Sequence, residues 1–456
     1  MPSAVVKHNP ELSLARVDAA CCLYGATPRP IRDIRAVVVQ SGARDAYQLA
    51  LALSEREMLE AMVTDLFWPA DRGWARTIIA ALPGGLRSMV LQRSERRLPS
   101  DRIKLCWAVG LKTLLFEKLS WVSLDARRRA MRHADSVLGR AAGTLAKHKG
   151  VGLVSYSYYG YEAFKAYGQP GMLFQLHPHP ASMRRILSEE LAAHPDCASS
   201  LRQEWELSLP EEDFQHLVRE TSMASSFLVA SSFTKNTLIE NGAPAAAVKV
   251  VPYGVDIARF RPAPQLRSND EGKLRLLFVG RINQRKGIKY LLEALRILDK
   301  TEVELTVCGR VVDALELFRP FADRVKVRPS VSAEELVAAY QTADLFVLPS
   351  VAEGFGQVLL EALACGLPIL STTHTAAPDL IDEGIQGFVV NPRRSDLIAE
   401  KILWALEHRA ELDMMGQAAR ARAEEFTWER FRANVADSVE DFLVQQSLPE
   451  SREINV

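Results

Sequence analysis

No apolar run in this 456-residue chain approaches the roughly 18 residues that a membrane-spanning helix needs, which excludes an embedded helical bundle. The six cysteines, Cys21, Cys22, Cys106, Cys197, Cys308 and Cys365, form no C-x-x-C pair and are too sparse for a disulfide scaffold. The first ten residues lack the apolar core of a signal peptide, so the expected location is a reducing cytoplasm. Neither charge dominates: Lys+Arg and Asp+Glu are 56 each, and overall basicity gives no argument for nucleic acid. Internal repeats and low-complexity segments are also missing.

What is present is the composition of a soluble globular protein, 48% hydrophobic and 25% charged. The length exceeds one ordinary core and predicts two domains. In the second half, short apolar runs alternate with stretches of helical period: 274–279, 303–308, 345–348, 368–372 and 387–390 read as strands. That alternation predicts an α/β domain with a parallel, doubly wound sheet covered on both faces. In the first half, strands are expected at 34–40, 151–155, 172–176, 227–230 and 248–251, with a nearly all-helical insertion over about 75–150. The expected plan is a first domain over 1–260, a polar linker over 261–272, a second domain over 273–425 and a final amphipathic helix from 426 to 456.

Charge is uneven. Residues 87–140 hold 13 Lys/Arg against 5 Asp/Glu, interleaved with Trp107, Leu111, Leu114, Leu115, Phe116, Leu119 and Trp121. This stretch reads either as a core helix with a solvated basic face or as a peripheral membrane contact.

The most informative segment is Glu353-Gly354-Phe355-Gly356-Gln357-Val358-Leu359-Leu360-Glu361. Two carboxylates eight positions apart flank two glycines where an apolar strand gives way to a helix. The glycines let backbone approach a ligand, and a helix starting near Gln357 aims unpaired N–H groups at an anion. Gly280-Arg281 follows another strand, and Arg285-Lys286-Gly287 opens the next helix. Arg281 and Lys286 are the cations expected to meet a diphosphate, whereas Arg285 reads equally as a solvated loop residue.

These stretches, with Ala364-Cys365-Gly366-Leu367-Pro368, Val229-Ala230-Ser231-Ser232-Phe233-Thr234 and Val251-Pro252-Tyr253-Gly254-Val255-Asp256, resemble family 4 of the group 1 glycosyltransferases over 227–431. The resemblance implies the GT-B fold, two Rossmann-like domains facing across a cleft. It implies sugar transfer from a nucleotide diphosphate sugar to an acceptor hydroxyl, with retention at the anomeric carbon and no metal or other cofactor. Arg281 and Lys286 would stabilise the leaving diphosphate, Glu353 would lie near the donor sugar without acting as a nucleophile, and Glu361 would hold the ribose. Gly354, Phe355, Gly356, Gln357 and Val358 would surround the donor, with Gly309 and Ser330 near the base. His177, at the end of the 172–176 run, would reach the donor sugar; a metal site with His179 lacks a third ligand, and His179 reads as a turn residue. Gly42 and Arg44 would lie on the acceptor side, beside Asp45. The last helix would cross back to the first domain.

The acceptor implied is a glycan, a lipid-linked sugar or a small molecule. Open alternatives are a sugar-nucleotide epimerase, a phosphorylase, or a sugar-nucleotide binding protein without catalysis. For the phosphorylase neither a pyridoxal phosphate lysine nor a phosphate pocket is identifiable.

Overall fold

The computed structural model describes residues 34–82, 84–119, 122–263, 272–298, 302–312 and 315–447. Cys21, Cys22, Trp121, the linker residues 264–271 and the end of the chain beyond 447 lie outside them. Thirteen described strands form two sheets. The first contains β1 (Ala36–Val39), β2 (Leu59–Thr64), β3 (Ile103–Leu105), β4 (Gly152–Tyr156), β5 (Met172–Gln175), β6 (Ser226–Val229) and β7 (Val248–Val250), in the order β3-β2-β1-β4-β5-β6-β7. The second contains β8 (Leu274–Val279), β9 (Val303–Cys308), β10 (Val325–Arg328), β11 (Leu345–Leu348), β12 (Ile369–Thr372) and β13 (Gly387–Val390), in the order β10-β9-β8-β11-β12-β13. All strand pairs are parallel. Helices therefore cover both faces, and runs such as Ala36-Val37-Val38-Val39 and Leu345-Phe346-Val347-Leu348 are buried throughout instead of alternating.

In both sheets the strand order reverses at one place, between β1 and β4 and between β8 and β11. Connections from two such neighbouring strands leave in opposite directions and open a crevice at their carboxyl ends. The loops that follow these four strands carry Gly42 to Asp45, Tyr158, Lys286 and Glu353.

Three strands escape the sequence reading. β2 has Glu60 inside its apolar run, β3 is three residues long, and β10 reads Val-Lys-Val-Arg. Two of them, β3 and β10, are sheet edges, where short strands with charged residues discourage pairing with another chain. The insertion over 75–150, expected to be nearly all helical, holds the three-residue β3 among the helices Gly73–Ala81, Gly84–Leu91, Trp107–Lys118 and Leu124–Lys149.

The described residues form two main hydrophobic cores, one around each sheet. Val251 belongs to the first core and Val255 to the second, six to ten residues before the expected linker at 261–272. The final helix Trp428–Ser447 packs into the first core through Phe431, Val435, Val439, Phe442 and Leu443. Gly152 exists as glycine partly to admit it, because a Cβ there would lie 2.2 Å from Leu443 Cδ2. Arg432, nearly buried on the same helix, donates to Glu55 and Gln48 of the first domain at 2.8 Å each.

Candidate active site

The loops after β8 and β11 are tied to each other. Val351 N donates to Arg285 O at 2.9 Å, and Gly287, at φ 75°, lets the cationic turn approach Pro349, whose carbonyl oxygen would be 1.9 Å from any Cβ. This close approach places three charged side chains together. Lys286 Nζ pairs with Glu353 Oε2, and Arg285 Nη1 donates to the same oxygen at 2.9 Å and to Ala352 O at 3.0 Å. Burial opposes the charge on Glu353, yet Lys286 and then Arg285 hold its carboxyl well below the usual range. Burial likewise pulls Lys286 down, against the attraction of Glu353.

Arg285 is thus not a solvated loop residue. It is buried between two carboxylates, Glu353 of the second domain and Glu204 of the first, whose Oε2 is 3.2 Å from Arg285 Nε. The turn geometry decides this: Asn283 caps the turn by accepting from Lys286 N at 3.3 Å and donates from Nδ2 to Glu204 at 2.9 Å, directing both cations inward. Arg281 behaves oppositely. It is exposed, beside β8, and makes no ion pair among the described residues.

Gly354 brings the second domain against the first. A Cβ there would sit 2.1 Å from Leu176 O and 3.1 Å from His177 Cα. Its carbonyl accepts from Ser231 Oγ at 2.5 Å and Thr234 Oγ1 at 3.2 Å, both buried residues of the first domain. His177 therefore faces the charged cluster. Burial lowers it from 6.5 to about 4, against the raising influence of Glu353, so the imidazole is neutral at neutral pH. His179 instead caps the helix Pro180–Ala193 and contacts Thr221 at 3.1 Å, a turn residue.

The remaining donor-side candidates divide. Gly356, at φ 87°, is the N-cap of the helix Gln357–Ala364. Phe355 is buried edge-on to Tyr253 at 5.0 Å, and Gln357 Nε2 donates to Gly254 O at 2.7 Å, so both side chains serve the joint between domains. Val358 packs partly buried against the second core. Glu361 accepts from Tyr340 at 2.9 Å and is raised, by burial first, away from the partners of Glu353. Gly309, at φ 138°, allows β9 to approach Gly280, whose oxygen would be 1.9 Å from a Cβ; Ser330 is exposed beyond β10.

On the opposite wall, Gly42 N donates to Asp65 Oδ1 at 2.8 Å, and Arg44 lies over the rings of Tyr159 and Tyr158 at 5.5 and 6.0 Å. Asp45, Ala46 and Tyr47 follow in consecutive left-handed conformations, at φ 44°, 51° and 63°. Such residues cost about 1–3 kcal/mol each and collect where a loop is held for a purpose. Asp45 accepts from the Tyr156 hydroxyl through Oδ2, while its buried Oδ1 has no partner. Burial pushes this carboxyl up to about 7, with Tyr156 and the Leu49 and Gln48 amides pulling the other way. Sequence reasoning placed Asp45 only beside Gly42 and Arg44 in the acceptor-side turn and did not find Glu204, which nothing in its local pattern marks.

Two doubly wound parallel sheets with these clusters at facing switch points define the GT-B class. Residues 263–422 match the family described as glycosyl transferases group 1. The chain is 32% identical over 207 residues to a D-inositol 3-phosphate glycosyltransferase of Arthrobacter sp. (strain FB24), an alignment covering 42% of this chain and 49% of that protein. It is 30% identical over 228 residues to a GDP-mannose-dependent alpha-(1-6)-phosphatidylinositol monomannoside mannosyltransferase of Mycobacterium tuberculosis, covering 45% and 59%. The chain thus spans roughly half the length of the curated relatives it matches. Among solved structures, sucrose-phosphate synthase of Thermosynechococcus elongatus superposes with a TM-score of 0.60 at 18% identity, covering 91% of this chain and all of that one. HepE of Anabaena, in complex with UDP, superposes with a TM-score of 0.58 at 15% identity, covering 89% and 100%.

Proposed function

We propose that the protein is a retaining glycosyltransferase that moves a sugar from a nucleotide diphosphate sugar to an acceptor hydroxyl without a metal, in the cytoplasm. The observation that carries this reading is the convergence of Lys286 and Arg285 on Glu353, beside the N-terminus of the helix Gln357–Ala364 and opposite His177. A diphosphate entering there displaces Glu353 from the two cations, and the freed carboxylate accepts from sugar hydroxyls. Arg281, exposed at the same sheet edge, adds a planar fork for phosphate oxygens. Glu361 with Tyr340 takes the ribose, and Gly309 and Ser330 flank the base.

In the reaction, the bond from the anomeric carbon to the diphosphate oxygen breaks. A bond to the acceptor oxygen forms on the same face, and the acceptor proton passes to the leaving phosphate. No side chain is needed as nucleophile. Lys286, Arg285, Arg281 and the helix amides hold the developing charge where little water can reorganise. The neutral His177 hydrogen-bonds the donor sugar, while Gly42, Arg44 and Asp45 face the acceptor.

Two of the similar proteins support a nucleotide-linked donor: one is GDP-mannose-dependent, and HepE is in complex with UDP. A thermal-shift screen of uridine, guanosine and adenosine diphosphate sugars tests donor binding. Release of nucleoside diphosphate only when an acceptor is supplied separates transfer from epimerisation. The anomeric coupling in the product's NMR spectrum reads retention directly. Tight donor binding with no turnover on any acceptor mixture would leave a binding protein.

A further inference from the structure

Large apolar side chains face solvent on two helices in the insertion of the first domain. Trp74 and Ile78 are one turn apart on the helix Gly73–Ala81, and Trp107, Leu111 and Leu115 follow the i, i+4, i+8 spacing along the helix Trp107–Lys118. Trp107 is 63% exposed and Leu115 51%, although a stripe at this spacing normally faces a core. The opposite side of the second helix is the one that packs: a Cβ on Gly110 would meet Leu66 Cγ at 2.8 Å and Asp65 Cβ at 2.9 Å. The apolar stripe is therefore turned outward by tight contact on the other side.

Arg87, Arg96, Lys104 and Lys112 of the same insertion are exposed and have no carboxylate partner among the described residues. Arg93, Arg97, Arg102, Arg132 and Arg140 of the basic stretch pair with carboxylates outside it, so the charge argument rests on the four unpaired cations, which an isologous contact with a second copy would set like against like. Tryptophans and leucines among unpaired cations match a lipid surface, where rings enter the headgroup region and cations meet lipid phosphates.

We infer that the 74–115 face docks on an anionic lipid bilayer. Asp65 couples this face to the proposed acceptor side: besides packing on Gly110, it accepts from Gly42 N at 2.8 Å and pairs with Arg93 at 3.1 Å. The docked bilayer lies beside the acceptor turn, and the acceptor class that fits is a lipid-linked hydroxyl. This last step rests on the transferase reading; the docking does not.

The test is sedimentation of the full chain with phosphatidylcholine vesicles, with and without about 30% phosphatidylglycerol. The wild type is expected to pellet with the anionic vesicles only, and to be released by about 1 M salt. Trp107→Ala/Leu111→Ala/Leu115→Ala and Arg87→Glu/Arg96→Glu/Lys104→Glu/Lys112→Glu should each lower the bound fraction at least about tenfold, since a few surface cations suffice for that. All substituted residues are exposed, so melting temperatures and nucleoside diphosphate thermal shifts should match wild type. Wild type left in the supernatant at low salt, or variants that bind equally, would overturn the inference. So would light scattering that shows a wild-type dimer abolished by the alanine variant, because the face would then be a contact between copies. Vesicle binding without transferase activity would sink the proposed function and leave the docking intact.

Discussion

Glu353 is ionised in a place where burial favours the neutral acid, and only Lys286 and Arg285 keep it so. The two cations are in turn poised for a stronger anion than the one they hold. Lys286→Ala is expected to slow turnover by roughly 10²-fold or more, because one aimed donor is worth about 3 kcal/mol at the transition state. Single-turnover kinetics with saturating donor read that loss directly; an unchanged rate would remove Lys286 from the chemistry. Asp45 makes a different expectation. Its carboxyl titrates at about 7 when folded against an ordinary 3.8, so the native state holds the proton more tightly than the unfolded chain. The stability this contributes is complete below the ordinary value and is lost as pH rises through the folded one. Asp45→Asn, which keeps a neutral amide at the site, should therefore gain melting temperature relative to wild type as pH rises from 4 to 7. Parallel melting curves across that range would contradict a carboxyl whose buried Oδ1 has no partner.

Single elements carry the contact between domains. The loop at Gly354 touches Leu176 so closely that Gly354→Ala must separate the two walls or distort one of them. Turnover should fall by about 10²-fold, the usual cost of misplacing groups by an ångström, while nucleoside diphosphate affinity, which the proposed function seats on the second domain, should change little. A binding titration beside the kinetics distinguishes this from unfolding. The helix Trp428–Ser447 is a second such element. Truncation after Glu425 removes Phe431, Val435, Val439, Phe442 and Leu443 from the first core, where each large apolar side chain contributes about 1.5–3 kcal/mol. Loss of soluble, cooperatively melting protein is expected, and a truncated chain that still melts cooperatively would show the first sheet to be self-sufficient. Elements also mark where the sequence was legible. Central strands such as β1 and β11 announce themselves as uninterrupted apolar runs because both faces are buried. The edge strands β3 and β10 do not, since edges are short and charged for reasons unrelated to the core.

Across the whole molecule, the helix Pro180–Ala193 belongs to the first domain by chain order yet contributes Met183, Ile186 and Leu187 to the second core. From it, fully buried Glu190 accepts from Gln284 at 2.6 Å, Tyr290 at 2.9 Å and Arg393 at 2.8 Å, all in the second domain. Glu190→Ala leaves Arg393 without its buried partner and should loosen the closed arrangement. Small-angle scattering is expected to show a larger radius of gyration, and an unchanged profile would mean that apolar contacts alone hold the domains. The sequence by itself determined the class of fold, through apolar runs ended by glycine or proline, and the turns at which charge would gather, since both properties are local. Only the tertiary structure decided which charges meet. Arg285, equally plausible as a solvated cation, is buried against Glu353 and Glu204, while Arg281, four residues earlier, remains in solvent. Partners 68 and 81 positions away along the chain settle that choice, and no periodicity or spacing near Arg285 contains their distance.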